Sequence, residues 1–252
     1  RPPTHPELLD HLAHRFMDGG FRIKGIVRYL VTSRTYRLAS TARPDVSDLD
    51  PDATLLWRMP PRRLGAESLR DAILAVSGQL DTTRPVGSVV ALVGEGPVSQ
   101  VRRGGDRIAA ALDDPTDRHR SVYLPIIRDD PHGVLALFDA ADPSLITAER
   151  QRTTVPSQGL FLMNSPFVLR AADAAVVELG GDGSEEERIA RAIVRCLGRP
   201  AGAGEATAAR AFLRSYRESL VGRGSEAEAA EKEAWSVFFQ ALFASAEFQF
   251  RR

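Results

Sequence analysis

Three carboxylates, Glu67, Asp71 and Asp139, stand near arginines at the joins between apolar runs. Two carboxyl groups flanking a glycosidic bond can act as acid and base, or as acid and nucleophile. Arginine forks and side-chain amides bind carboxylates and hydroxyls in fixed geometry. The candidate binding groups are His5, Arg58, Arg62, Arg63, Arg70, Arg120, Asp142, Gln158 and Asn164, with Arg152 and Thr154 beside them in the chain. A competing reading gives the same residues a structural role. Pairing of Arg62, Arg63 and Arg70 with Asp71, Asp139 and Asp142 would suffice to lock a fold, and structural networks also cluster charge. Whether the chain is an enzyme stays open at this level.

Other chemistries find less support. His5 precedes Pro6 at a helix start, a setting for structural hydrogen bonding. His11 and His14 are three apart and could share a face, but no His-Glu-x-x-His pattern is present, so no metal site is assigned. His119 and His132 flank an expected strand and are read as solvated. Met163 could approach a haem, yet a methionine within an apolar helix is ordinarily core filler. Cys196 is alone, which excludes an internal disulfide and a cysteine metal cluster and suits a buried, inert thiol. Walker, Gly-x-Ser-x-Gly and dinucleotide-glycine motifs are absent.

The elements that must position these groups are mostly helices. The organising stretch runs from Thr153 to Leu169. Pro156 opens a short helix in which Leu160, Phe161, Leu162 and Met163 are apolar on every side, so it is expected to be buried all round. Asn164 or Ser165 then caps a second helix that ends at Gly180-Gly181. This pair is read as an apolar anchor. Its polar ends, Gln158 and Asn164, would be clasped by guanidinium and acid groups from distant segments, Arg62 and Arg120 among them.

Upstream, Thr4 and Glu7 fit a capping box for a helix striped with Leu8, Leu9, Leu12, Phe16 and Met17. A second helix carries Ile23, Ile26, Val27, Leu30 and Val31, and the short link between them predicts a helical pair. Leu69, Ala72, Ile73, Val76 and Leu80 stripe another helix. Residues 81–120 read as a long irregular excursion, with one strand near Ser88 to Val93. Ser121 to Ile127 and Val134 to Phe138 read as two short pairing strands. The last third is helical, with a capping box at Ser184 and Glu187 and aromatics from Trp235 to Phe250. The expectation is a mainly α fold with a small β element near residues 121–139 and a C-terminal helical bundle. Residues 1–180 form the core, and residues 181–252 pack on it.

Formal net charge is zero over 252 residues, which gives no reason to expect a nucleic-acid or anionic-membrane partner. All but two of the basic residues are arginine, the exceptions being Lys24 and Lys232. No run approaches the roughly 20 apolar residues of a membrane span. The chain begins at Arg1, not at methionine, and reads as a fragment or processed product.

Several motifs then occur in order: Pro3-Thr4-His5-Pro6-Glu7-Leu8-Leu9-Asp10, Ser33-Arg34-Thr35-Tyr36-Arg37, Leu56-Trp57-Arg58-Met59-Pro60-Pro61-Arg62-Arg63-Leu64 with Glu67 and Arg70-Asp71, Arg120-Ser121-Val122-Tyr123-Leu124-Pro125, Phe138-Asp139 with Asp142-Pro143, and the Thr153 to Val168 run. Together they resemble the C-terminal domain of unknown function of planctomycete surface proteins that are often fused to a c-type cytochrome domain. The resemblance implies an extracytoplasmic setting (periplasm or cell surface), a cytochrome c or other domain of the same polypeptide as partner, and a possible link to polysaccharide. It implies no established activity. Without Cys-x-x-Cys-His the chain itself has no covalent haem site, so any haem would sit on a fused domain. The expected function is therefore a non-catalytic structural or docking module. The alternative is a glycan-binding or glycan-degrading domain that uses the arginine and carboxylate cluster.

Overall fold

The computed structural model describes residues 2–87, 117–124, 126 and 132–251. The strand expected near 88–93 falls outside these residues. The described chain is mainly α, as its periodicity predicts. Its one sheet pairs two-residue strands, β1 (Arg62–Arg63) and β2 (Phe250–Arg251). Contacts divide the chain into two compact units, Arg1–Arg62 with Phe250–Arg252, and Arg63–Gln249.

The first unit holds α1 (Pro6–Asp18), α2 (Ile23–Thr32) and the single-turn α3 (Pro44–Ser47). Helices α1 and α2 touch, as the short Gly19-Gly20 link requires. Neither buries a residue fully, and Leu12, Phe16 and Ile26 are half-buried. The cap of α1 differs from expectation. His5 is the N-cap and makes no capping bond; Thr4 Oγ1 turns instead to His5 Nδ1 at 2.9 Å. Downstream, buried Asp50 organises the loop that carries the Trp57 motif. Its carboxylate accepts from Thr54 N, Thr54 Oγ1 and Leu55 N, and its carbonyl accepts from Trp57 Nε1.

The second unit holds α4 (Ala66–Val76), a 3₁₀ turn (Ser121–Tyr123), α5 (Gly133–Leu137), α6 (Pro156–Asn164), α7 (Pro166–Leu179), α8 (Glu185–Leu197), α9 (Ala203–Gly222), α10 (Ala227–Ala244) and α11 (Ala246–Gln249). One core joins α4, α6, α7, α8, α9 and α10. Helix α7 gives it Val168, Ala171, Ala172 and Ala175, all essentially inaccessible. These small side chains allow close approach of α10, whose Trp235, Phe239 and Phe243 are fully buried. Ser236 Oγ donates to Asp173 Oδ1 at 2.7 Å across that contact. The helices after residue 180 therefore share their core with those before it.

Two expectations fail here. Within the segment read as β near 121–139, the described residues form a 3₁₀ turn and a helix, not strands. The cause is tertiary: Asp71 on α4 accepts both Ser121 N and Ser121 Oγ, which caps the turn. Helix α6 is also not buried all round. Leu162 is 1% exposed, whereas Leu160 is 57% and Met163 60% exposed. An unbroken apolar run has no period from which to tell its buried side.

Candidate functional site

The predicted residues assemble in separate places. In the second unit, the loop before α6 brings Arg63, Asp139, Thr153 and Gln158 together. Asp139 follows α5 with φ +62°, a left-handed conformation that aspartate tolerates better than most side chains. This turn aims its carboxylate at Thr153. Thr153 N donates to Oδ2 at 2.6 Å and Thr153 Oγ1 to Oδ1 at 2.8 Å. Gln158 is buried in the first turn of α6. Its Nε2 donates to Leu137 O at 2.9 Å and to Thr153 Oγ1 at 3.3 Å. Its Oε1 accepts from Val155 N, and from Arg63 Nη1 at 2.8 Å. Val155 is the N-cap of α6 but has no side-chain acceptor, so this reach-back stands for half of a capping box. Arg63 completes the hub. It donates to Thr153 O and Gln158 Oε1 through Nη1 and to Gln249 Oε1 through Nη2, and lies 5.6 Å from the Phe138 ring centroid.

Beside the hub lies a small cavity of about 130 Å³, lined by Arg63, Gly65, Asp139, Arg150 and Arg152 among others. Glu67 sits near Arg150, with Oε2 2.8 Å from Nη1. Burial raises the Glu67 pKa, but the Arg150 hydrogen bond and charge, with a backbone hydrogen bond, outweigh it and leave it lowered. A general acid working near neutrality needs the opposite shift.

A second cluster surrounds Arg70, whose side chain is 3% exposed. It donates to Asp117 O at 2.6 Å, His119 O at 2.8 Å and Ser121 Oγ at 3.2 Å. Burial lowers its pKa, while the Asp117 and Asp71 charges oppose that fall. Asp71 is 3.9 Å from both Arg70 Nη1 and Arg120 Nε, and its short bonds go to Ser121. His119 lies between Asp117, at 3.0 Å, and Asp81, at 3.4 Å. Arg120 thus meets Asp71, and the α6–α7 anchor is clasped by Arg63.

The remaining candidates serve locally. His5, Arg58 and Arg62 belong to the first unit. Arg58 stacks over Trp57 and donates to Ser40 O and Pro51 O, and Arg62 is exposed. Asp142 Oδ1 accepts from Ser144 N in a turn. Asn164 is exposed and donates back to Leu160 O, while Ser165 caps α7 through Phe167 N. Thr154 meets Arg63 at 3.5 Å. Cys196 is half-buried by surface area, and burial pushes its thiol up to about 12. Among the described residues, no group of three or more metal-ligating side chains occurs.

Sequence reasoning missed a further network in the C-terminal helices. Glu231 on α10 accepts from Arg188 of α8, Arg217 of α9 and Trp235 Nε1. Arg217 also pairs with Glu185 at 2.6 Å. The only local trace of it is the i, i+4 spacing of Glu231 and Trp235.

No curated protein and no solved structure matches the chain. A family model does match, over residues 1–213, which includes both clusters apart from Gln249 and the described helices through the first half of α9. The chain therefore belongs to the PSD1 family, described as a protein of unknown function (DUF1553).

Proposed function

We propose that this chain is a non-catalytic structural and docking module of an extracytoplasmic protein, working beside a c-type cytochrome domain of the same polypeptide. One observation carries the non-catalytic part. Each of the three candidate carboxylates is already held: Glu67 by Arg150, Asp71 by Ser121, and Asp139 by Thr153 through both its oxygens. The cavity beside Asp139, about 130 Å³, falls below the usual ligand-pocket range of roughly 300–1,000 Å³. The docking part draws on apolar side chains left in solvent, with Leu160 and Met163 on α6 and Ile23, Val27 and Leu30 on α2. The setting beside a cytochrome draws on the sequence resemblance.

The test pairs a binding arm with a catalytic one. A separately produced c-type cytochrome domain is titrated with the chain, and saturable binding weakened by Leu160→Asp or Met163→Asp is the expected result. In parallel the chain is incubated with a polysaccharide library. Turnover that is abolished by Asp139→Asn, with the fold retained, would overturn this proposal in favour of glycan degradation. Absence of cytochrome binding would overturn the docking assignment.

A further inference from the structure

A groove in the first unit, separate from the clusters described above, has the makings of an anion site. It holds about 560 Å³ between the second half of α1 and the first half of α2, and its lining includes His11, His14, Arg15, Asp18, Arg22 and Gly25. Two guanidinium and two imidazole groups thus face a single carboxylate in a chain with no net charge. Residues 2–43 as a whole carry seven Arg and Lys against three Asp and Glu.

Two features go beyond charge. The Arg15 guanidinium lies over the Tyr29 ring, 3.9 Å from its centroid, and Tyr29 OH is 3.4 Å from His11 Nε2. The ring contact restrains the guanidinium without using its N–H groups as an ion pair would, so a bidentate partner meets a partly preorganised fork. Among the described residues neither Arg15 nor Arg22 forms an ion pair. The second feature is Gly25, the third residue of α2, where most side chains would favour the helix more. A Cβ there would meet only Arg22 Cβ, at 3.7 Å, so packing gives no reason for the glycine. Its lack of a side chain keeps the groove open and the backbone approachable.

We propose that this groove binds a compact oxyanion, a group presenting two or more carboxylate, phosphate or sulfate oxygens to Arg15 and Arg22. The oxyanion is either a free small molecule or the headgroup of an anionic lipid. The full chain is titrated calorimetrically with citrate, inorganic phosphate and inorganic sulfate. In a second arm it is mixed with phosphatidylglycerol vesicles and with neutral phosphatidylcholine vesicles. One saturable site is expected, weakened about tenfold by Arg15→Gln and by Arg22→Gln. Asp18→Asn tightens it, and Gly25→Leu abolishes it by filling the groove. Circular dichroism confirms that each variant is folded. Binding to phosphatidylglycerol vesicles alone, with the same response to the variants, assigns the headgroup as the source. Failure of every probe overturns the proposal. So does binding that survives both Gly25→Leu and the arginine substitutions, since diffuse attraction would account for it. Arg15→Gln and Arg22→Gln alter exposed side chains, so they keep the test decisive even if Gly25→Leu fails to fold.

Discussion

Gln158→Ala tests whether the hub is a fastener. The amide is 2% exposed and makes four contacts: to Leu137 O, Thr153 Oγ1, Arg63 Nη1 and Val155 N. Two of these partners keep other bonds, since Arg63 still has Thr153 O and Gln249, and Thr153 still has Asp139. Leu137 O and Val155 N lose their side-chain partner in a part-buried setting. Each such group costs about 1–3 kcal/mol when left unpaired. The removed atoms add a cavity, so a total of about 3–5 kcal/mol is expected. For a unit of this size that is a fall in Tm of about 6–20 °C, read by thermal and urea melts followed by circular dichroism. Gln158→Leu keeps the volume and isolates the polar part, with an expected cost of about 2–4 kcal/mol. A Leu variant as stable as the parent, or an Ala variant within about 1 kcal/mol of it, would refute the assignment of the amide as a fastener.

Glu231→Gln, which removes the charge shared by Arg188 and Arg217, should cost about 1–2 kcal/mol given the partial exposure of the network; urea midpoints check it. Acid stability should reflect Glu205, which the Arg199 fork and Gly202 N hold down at about 2. Its folded pKa lies below the unfolded one. Its contribution is therefore present above about pH 4.5 and disappears as pH falls towards about 2. Arg199→Gln should flatten that part of the stability–pH curve, and an unchanged slope would refute the pairing. Cys196, its thiol pushed up to about 12 by burial, should resist a thiol reagent in native buffer and label quickly in urea. Rapid stoichiometric labelling of the native protein would contradict that burial.

What could be read from the sequence was what local chemistry decides. The Ser184–Glu187 capping box is present, with Glu187 N to Ser184 Oγ at 3.2 Å and Ser184 N to Glu187 Oε2 at 2.8 Å. The α4 stripe buries Leu69, Ile73 and Val76 as its spacing predicts. Apart from the Thr4 cap and the burial of α6, failures fell where a distant group decides. Ser121 to Tyr123 has strand-like composition, yet a carboxylate 50 positions earlier fixes it as a turn. Gln158 was legible as a polar residue in apolar surroundings that must be bonded, but its partners were not. Thr153 and Asp139 are 14 positions apart and meet where the left-handed turn at Asp139, two residues after α5, aims its carboxylate at Thr153.

Arginine explains more of this chain than any carboxylate does. Arg63 donates to Thr153 O, Arg70 to Asp117 O and His119 O, Arg195 to Val76 O at 2.6 Å, and Arg58 to Ser40 O and Pro51 O. Most of these acceptors lie in segments with no helix or sheet to satisfy their carbonyls, and a part-buried carbonyl needs a donor. A planar fork with five N–H groups can serve several of them at once and stays charged; a lysine ammonium offers fewer directions and loses its charge more readily on burial. Arg58, Arg63 and Arg70, which looked like substrate-binding forks, are thus spent on the backbone. A guanidinium occupied in this way is unavailable to a ligand. Arg15 differs from these four: an aromatic ring positions it, and among the described residues its side chain holds no carbonyl.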